Sequence, residues 1–332
     1  MRLVVLGTGR MAGQRALTGG SHPDVSDLLI AGRDVDRAQQ VANRSGGRAV
    51  HIEDAFSNAP DVAIVATATA AHPELIRQAI SHGVPILCEK PISESLPESR
   101  ELVSAAEQTG IPVHVGFQRR FDPGMRAVRR AVTEGTLGRL YHLRIAAHDA
   151  EPGDEHYIAS SGSMFRDMHV HDFDLVRWLT GEEVVEVDAV GTVRGHERYA
   201  RHGDVDVTAL RLTTDSGLPV LVTGSRHNPA GYEVRLEALG SGASLGAGNA
   251  TAVAPKPLDP GAEHHSHPRF EGFLDRFATA FELETHAFLD ALARGDAPPT
   301  PAEASLAALQ VAVAAERSWQ DGTRALVADR EA

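Results

Sequence analysis

The sequence predicts a two-domain α/β protein. Residues 1–120 read as a doubly wound parallel sheet, and residues 121–332 as an α+β domain with an open, mainly antiparallel sheet. Three observations predict this. Short apolar runs alternate with helix-like segments through the first third of the chain, which is the spacing of βαβ units. After Arg120 the alternation stops and several β-rich runs follow one another without long crossovers. The length of 332 residues exceeds what one hydrophobic core usually carries.

Arg2–Leu6 is the first apolar run and ends in Gly7-Thr8-Gly9-Arg10-Met11-Ala12, a turn that opens a helix. Asp27–Ala31, Asp61–Thr67, Pro85–Glu89 and Pro112–Phe117 follow as strands, with helices at Asp34–Asn43, Pro73–His82 and Pro97–Gln108 between them. In the second half, Leu140–Ala147, Val184–Val193, Asp206–Thr213, Pro219–Ser225 and Tyr232–Leu239 read as consecutive strands. Ser241–Pro268 is rich in glycine, alanine, proline and histidine and reads as an irregular surface loop. Two helices close the chain. One is Phe281–Arg294. The other is announced by Thr300-Pro301-Ala302-Glu303, which places a capping threonine, a first-turn proline and a glutamate in one capping box.

Composition narrows the function. A chain that is 42% hydrophobic and 23% charged is neither disordered nor fibrous. Its formal charge of −13 and scattered basic residues argue against nucleic acid as a partner. No apolar run is long enough for a membrane span or a signal peptide, so the reading is a cytoplasmic protein with no membrane partner. The lone Cys88 fits a reducing compartment and removes cysteine-rich metal motifs from consideration. Among 32 basic residues only Lys90 and Lys256 are lysines. An amine kept among guanidinium groups fits a position where proton exchange is needed, since lysine titrates more readily.

Gly7-x-Gly9-x-x-Ala12 follows a strand and opens a helix, so the bare amides of the helix N-terminus can receive a pyrophosphate. The motif alone leaves NAD, NADP, FAD and other nucleotides open. The second strand ends Ile30-Ala31-Gly32-Arg33-Asp34. Gly32 falls where a ribose-binding carboxylate is expected, and Arg33 brings a guanidinium suited to a 2′-phosphate, which favours NADP while Asp34 keeps NAD open.

Cys88-Glu89-Lys90-Pro91 lies at the C-terminal end of a central strand, the edge where open α/β sheets present ligand-facing residues. A lysine there can hold a substrate hydroxyl or relay its proton. In the second half, a helical reading of residues 161–175 puts Met164, Met168, Leu175 and Leu179 on one apolar stripe. Asp167 and His171, four apart, then lie about 40° from each other on its border. A carboxylate one turn from an imidazole can orient the ring and strengthen it as a base for alcohol oxidation. Asp167-x-His169-x-His171 could ligate a cation on a strand, but helical phase argues against it. His264, His265 and His267 read as part of an exposed loop, and no metal site is expected.

Taken together, these residues resemble the glucose–fructose oxidoreductase / inositol dehydrogenase family (Gfo/Idh/MocA) over essentially the whole chain. The motifs that agree are the glycine turn, Ala68-Thr69-Ala70-Ala71-His72-Pro73, Glu89-Lys90-Pro91, Val115-Gly116-Phe117-Gln118-Arg119-Arg120-Phe121-Asp122 and Asp167-x-x-x-His171-Asp172. The resemblance implies a Rossmann domain followed by an α/β domain whose open sheet supports oligomer contacts. It places Gly7, Gly9, Arg10, Met11, Ala12, Arg33, Thr67, His72, Glu89 and Lys90 around the coenzyme. It makes Lys90, Asp167 and His171 the catalytic residues: His171 accepts the hydroxyl proton, Asp167 orients it, Lys90 positions the oxygen, and hydride passes to the nicotinamide. Arg119, Asp154 and Tyr232 match polyol-contacting positions. Met168 departs from the smaller hydroxyl residue found in some inositol enzymes.

The expected function is therefore an NAD(P)-dependent oxidoreductase that interconverts a secondary alcohol and a ketone on a cyclic polyol or sugar, with an inositol preferred. Two alternatives stand beside it: a dehydrogenase or reductase of a nucleotide-linked or phosphorylated sugar, and a regulatory protein that senses dinucleotide without chemistry. An exposed antiparallel sheet face needs covering, which predicts a homodimer or homotetramer.

Overall fold

The computed structural model describes residues 1–248 and 270–327. His264, His265 and His267 lie outside them. The chain forms two compact units, Met1–Phe121 with Thr279–Leu309, and Asp122–Ala278 with Gln310–Ala332.

In the first unit, β1 (Arg2–Leu6) leads through the glycine turn into α1 (Arg10–Gly20), followed by β2 (Asp27–Gly32), α2 (Val35–Ser45), β3 (Arg48–His51) and β4 (Val62–Val65). Next come α3 (His72–Ser81), β5 (Ile86–Glu89), α4 (Leu96–Thr109) and β6 (Val113–Gly116). The six strands form one sheet in the order β3-β2-β1-β4-β5-β6, and all of its pairings are parallel. The order reverses between β1 and β4, which opens a crevice at the C-terminal edge of the sheet. Leu3, Val5, Ile30, Ile64 and Leu87 are buried within it because parallel strands are covered on both faces. Side-chain caps start α2 and α4, where Asp34 accepts from the Arg37 amide and Ser95 from the Glu98 amide. The sequence reading lacks β3, a short edge strand whose residues are only partly buried.

In the second unit, α5 (Pro123–Thr133), β7 (Leu140–His148), α6 (Glu155–Ser160), α7 (Met164–Asp167) and α8 (Val170–Thr180) precede β8 (Val184–Thr192). Then come α9 (Arg198–Arg201), β9 (Val207–Thr214), β10 (Pro219–Ser225), β11 (Glu233–Gly240), β12 (Ser244–Ala247) and α10 (Phe273–Arg276). The sheet order is β12-β11-β7-β10-β9-β8-β13, with β13 at Ala325–Leu326. Every pairing is antiparallel except β7 with β10. Residues alternate along the strands: Leu143, Ile145, Val220, Val222, Leu210 and Leu212 are buried, while Arg144, Leu221 and Val190 are exposed on the open side.

Three sequence expectations change. The span 121–332 is not one contiguous body, because residues from α11 (Ala278–Arg294) and the start of α12 (Ala302–Asp321) pack in the first unit, with Phe288 and Leu289 in its core. The Thr300 capping box is also replaced. The α12 helix begins at Ala302, and the Thr300 backbone is taken by β6 instead: its carbonyl accepts from the Val115 amide at 2.8 Å and its amide donates to His114 Nδ1 at 3.3 Å. The span 241–268, read as an irregular loop, also contains β12.

Candidate active site

In the first unit, five of the predicted residues follow the C-terminal ends of strands of the parallel sheet. Gly7 follows β1, Arg33 follows β2, Thr67 follows β4, Lys90 follows β5, and Arg119 lies in the turn after β6. Gly7 has φ +128°, and a Cβ there would come within 2.4 Å of the Ala66 carbonyl oxygen, so only glycine fits. Gly9 differs, since a Cβ would meet nothing within 4 Å. It is the N-cap of α1 with no side-chain hydrogen bond, which leaves open space before the first helical amides of Arg10, Met11 and Ala12. Thr67 Oγ1 is buried with no hydrogen-bond partner. An open cradle and an unmatched polar atom on the same sheet edge fit a bound dinucleotide.

The other predicted coenzyme residues do structural work that can be read directly. His72 is buried, with Nδ1 2.8 Å from the Pro91 carbonyl and Nε2 3.2 Å from the Thr67 carbonyl, so it braces the Lys90–Pro91 turn against the loop after β4. Burial holds His72 below its ordinary titration range, against the pull of those two carbonyls. Glu89 Oε1 accepts from Arg15 Nε at 2.7 Å. Arg33 is exposed, one residue beyond Gly32.

In the second unit, a polar cluster that includes the buried Arg226 surrounds Asp167. Its Oδ2 accepts from Tyr157 Oη at 2.5 Å and from Arg226 Nη1 at 2.9 Å, and the same Nη1 lies 3.3 Å from Asp149 Oδ2. Burial disfavours charge on Arg226, but Asp167 and Asp149 overcome it and hold the guanidinium protonated. Burial and the adjacent Asp167 push the Tyr157 phenol far above its usual range, so it remains a donor. Asp154 is the N-cap of α6 and accepts from the Tyr157 amide at 2.8 Å, so it fixes the helix that presents Tyr157. Tyr232 is buried against Phe277, with ring centroids 6.4 Å apart.

The helical reading of residues 161–175 is interrupted in the structure. The α7 helix ends at Asp167, α8 begins at Val170, and His169 stands between them as the N-cap of α8. His169 is wholly buried, with Nδ1 2.7 Å from Asp172 Oδ2 and Nε2 2.6 Å from Thr208 Oγ1. Its ring is spent on holding the break. A Cβ at Gly224 would come within 2.6 Å of that ring, so glycine on β10 makes the room. The Asp204 carboxylate accepts the Met164 amide at 2.9 Å and anchors the start of α7. Met168 is buried, and His171 lies in the first turn of α8, half-buried.

Among the described residues, no group of three or more His, Cys, Asp or Glu is placed to hold a metal ion. No described helix is long and apolar enough to cross a membrane. Sequence reasoning missed Arg226, Tyr157 and Asp149. They lie 59, 10 and 18 positions from Asp167, and no short motif joins them.

A glycine cradle and a strand-end lysine on one doubly wound sheet, in a chain whose other unit is built on an open, mainly antiparallel sheet, define a dinucleotide-linked oxidoreductase acting on CH–OH groups. Comparison with known proteins gives the family. Residues 1–117 match the oxidoreductase family with an NAD-binding Rossmann fold, and residues 125–246 match the GFO/IDH/MocA C-terminal domain. The chain belongs to the GFO/IDH/MocA oxidoreductase family.

It is 39% identical over 331 residues to a myo-inositol dehydrogenase of Streptomyces leeuwenhoekii, covering 97% of this chain and 98% of the relative. It is 30% identical to the scyllo-inositol 2-dehydrogenase (NAD(+)) of Bacillus subtilis, covering 97% and 95%. A myo-inositol dehydrogenase from Corynebacterium glutamicum superposes with a TM-score of 0.91 at 30% identity, covering 99% of each chain.

Proposed function

We propose that this chain is an inositol dehydrogenase that oxidises one secondary ring hydroxyl to a ketone, in which Lys90, Asp167 and His171 perform the proton chemistry. The reading is supported by the names of its relatives and by one observation above the rest: Lys90, one of two lysines in the chain, stands on the same sheet edge as the Gly7–Ala12 cradle. The glycine turn, Thr67 and Glu89 would hold the dinucleotide, whose nicotinamide supplies the hydride acceptor. Lys90 donates a hydrogen bond to the substrate oxygen and keeps it in place. His171 takes the hydroxyl proton as the C–H bond is broken, and Asp167 orients the imidazole and balances its new charge. Arg119, Asp154 and Tyr232 are proposed to bind the remaining hydroxyls; a site that hydrogen-bonds such groups rejects analogues that lack them.

NADP is proposed as the preferred coenzyme because Gly32 removes the strand-end acid and Arg33 follows it exposed, although one close relative is named for NAD(+). The open sheet face, with Leu221 and Val190 exposed, is proposed to be covered in a homodimer or homotetramer.

The deciding experiment follows absorbance of the reduced coenzyme with a panel of inositols and aldoses, for wild type and Lys90→Met. Turnover of an inositol that falls by about three orders of magnitude in Lys90→Met, with dinucleotide still bound, supports the assignment. No turnover of any polyol by the wild type would overturn it.

A further inference from the structure

Arg15 belongs to none of the motifs that identify the first unit, yet it is its most deeply engaged charge. It lies in the second turn of α1, is wholly buried, and spends all three guanidinium nitrogens on side chains. Nε donates to Glu89 Oε1 at 2.7 Å, Nη2 to Glu284 Oε2 at 2.6 Å, and Nη1 to Thr285 Oγ1 at 3.0 Å. Its carbon lies 5.0 Å from the centroid of the Phe281 ring. Well-packed apolar residues usually replace a buried ion pair without loss of stability, so stability alone gives no reason to keep a cation here.

The partners show what the cation does. Glu89 ends β5 and is followed directly by Lys90. Glu284, on α11, is wholly buried and lies 195 positions further along the chain. Its other oxygen, Oε1, stands 3.6 Å from His114 Nε2. His114 Nδ1 accepts from the Thr300 amide, which places the ring proton on Nε2, facing that oxygen. On the neighbouring strand, a Cβ at Gly116 would come within 2.9 Å of Glu89 Oε2 and 3.0 Å of Arg15 Nη2. Glu89 is thus confined on one side by the β6 backbone and gripped on the other by a guanidinium that Glu284 holds in turn.

We propose that Glu284, acting through Arg15, is a positioning residue for the dehydrogenase reaction: it divides the guanidinium between two carboxylates, so that Glu89 is held by one N–H and Lys90 is presented from a fixed strand end. This rests on the reading of Lys90 as the group that holds the substrate oxygen. Without the charge on Glu284, Arg15 retains Glu89 as its only anionic partner among the described residues. A guanidinium then closes on a single carboxylate with two parallel bonds, which drags Glu89, and Lys90 with it, towards α1.

The test is a double-mutant cycle in the full-length chain with Glu284→Gln, Glu89→Gln and the pair. It reads kcat, the KM values for myo-inositol and coenzyme, and the thermal midpoint. Glu284→Gln is expected to lower kcat about tenfold while both KM values stay within about twofold. In the Glu89→Gln background the same change is expected to have almost no further effect, because the path runs through Glu89. Should Glu284→Gln fail to fold, Glu284→Asp keeps the charge while shortening the reach, and the same cycle is run with it. Unchanged kcat in the folded single variant overturns the proposal. So do losses that multiply across the cycle, or a kcat that falls only in step with KM and thermal midpoint. A wild type inactive on every inositol overturns this inference and the proposed function together, whereas an active wild type with an indifferent Glu284 overturns this inference alone.

Discussion

Arg226 donates from Nη1 to Asp167 Oδ2 at 2.9 Å, which ties the residue after β10 to the last residue of α7. The same nitrogen faces Asp149, so one buried cation stands between two carboxylates. If Asp167 orients His171, then Arg226 fixes the carboxylate and Tyr157 adds a second donor to the same oxygen. Replacing Arg226 by Met removes the buried guanidinium from both acids, with an expected loss of stability on the order of 3 kcal/mol. The same variant should lose roughly a hundredfold in kcat/KM. Tyr157→Phe keeps the cation and should lose about tenfold, with little change in stability. Urea unfolding and steady-state kinetics read both effects. Full activity in Arg226→Met would remove the ion pair from any part in catalysis.

The two glycines of the cradle should separate folding from binding. Gly7 has positive φ and no room beside the Ala66 carbonyl, so Gly7→Ala should destabilise the first unit by a few kcal/mol, through strain and displacement of the β1–β4 edge. At Gly9 the backbone is extended and the space is open, so Gly9→Ala should leave the thermal midpoint of the free protein unchanged. Its methyl group would instead occupy the approach to the α1 amides, and coenzyme affinity should fall by about tenfold or more. Fluorescence titration and calorimetry on the two variants give the contrast. Equal losses of stability in both would mean that Gly9 is only a turn residue.

The sequence shows most of the first unit because its strands are covered on both faces. Leu3–Leu6 and Val62–Val65 are wholly buried and read as plain apolar runs. The second sheet is equally legible where side chains alternate, as in β9 and β10. What stays hidden depends on partners distant in the chain. The break between Asp167 and Val170 follows from His169 turning inward to Asp172 and Thr208, and helical phase within one segment carries no trace of Thr208. The amphipathic α11 can be recognised as a helix, but its destination beside Arg15 cannot. Asp154 could be read as a helix cap from its spacing to Tyr157, whereas Arg226 has no local signature at all.

Coenzyme preference should hinge on Arg33. Its side chain is exposed immediately after β2, where no carboxylate competes for a ribose, and Asp34 is occupied in capping α2. A guanidinium that meets a 2′-phosphate typically contributes enough to shift affinity tenfold, about 1.4 kcal/mol. Arg33→Ala should raise the KM for NADP by about that factor and leave the KM for NAD nearly unchanged. An acid cannot simply be introduced at Gly32, where a Cβ would come within 2.6 Å of Thr8 Cγ2, so Gly32→Asp should weaken both coenzymes. Parallel kinetics with the two dinucleotides decide the matter. A wild type that prefers NAD, with Arg33→Ala indifferent to both, would assign Arg33 to the solvent.

Stability should fall on the acid side in two stages. Burial lowers His72 below its ordinary 6.5, against the Pro91 and Thr67 carbonyls, and burial likewise lowers His114 despite Glu284. The unfolded chain therefore binds more protons than the native state just below pH 6.5. Each ring's contribution is complete above that pH and is lost as pH falls towards its folded value. Burial would raise Glu284, but Arg15 and His114 override it and hold it below its ordinary 4.5. Glu284 therefore stabilises the fold above that pH and ceases to do so as pH drops through its folded value. Urea midpoints measured between pH 8 and pH 3 should show a first decline below about 6.5 and a second below about 4.5. His72→Gln should be less stable at pH 8, where the brace between Thr67 and Pro91 is lost, yet decline less steeply through the first stage, by up to about 1.4 kcal/mol per pH unit. Glu284→Gln should flatten only the second. If His72→Gln showed the wild-type slope between pH 6.5 and 5, its ring would titrate alike in the folded and unfolded chains, and the buried bridge from Thr67 to Pro91 would have no part in the acid response.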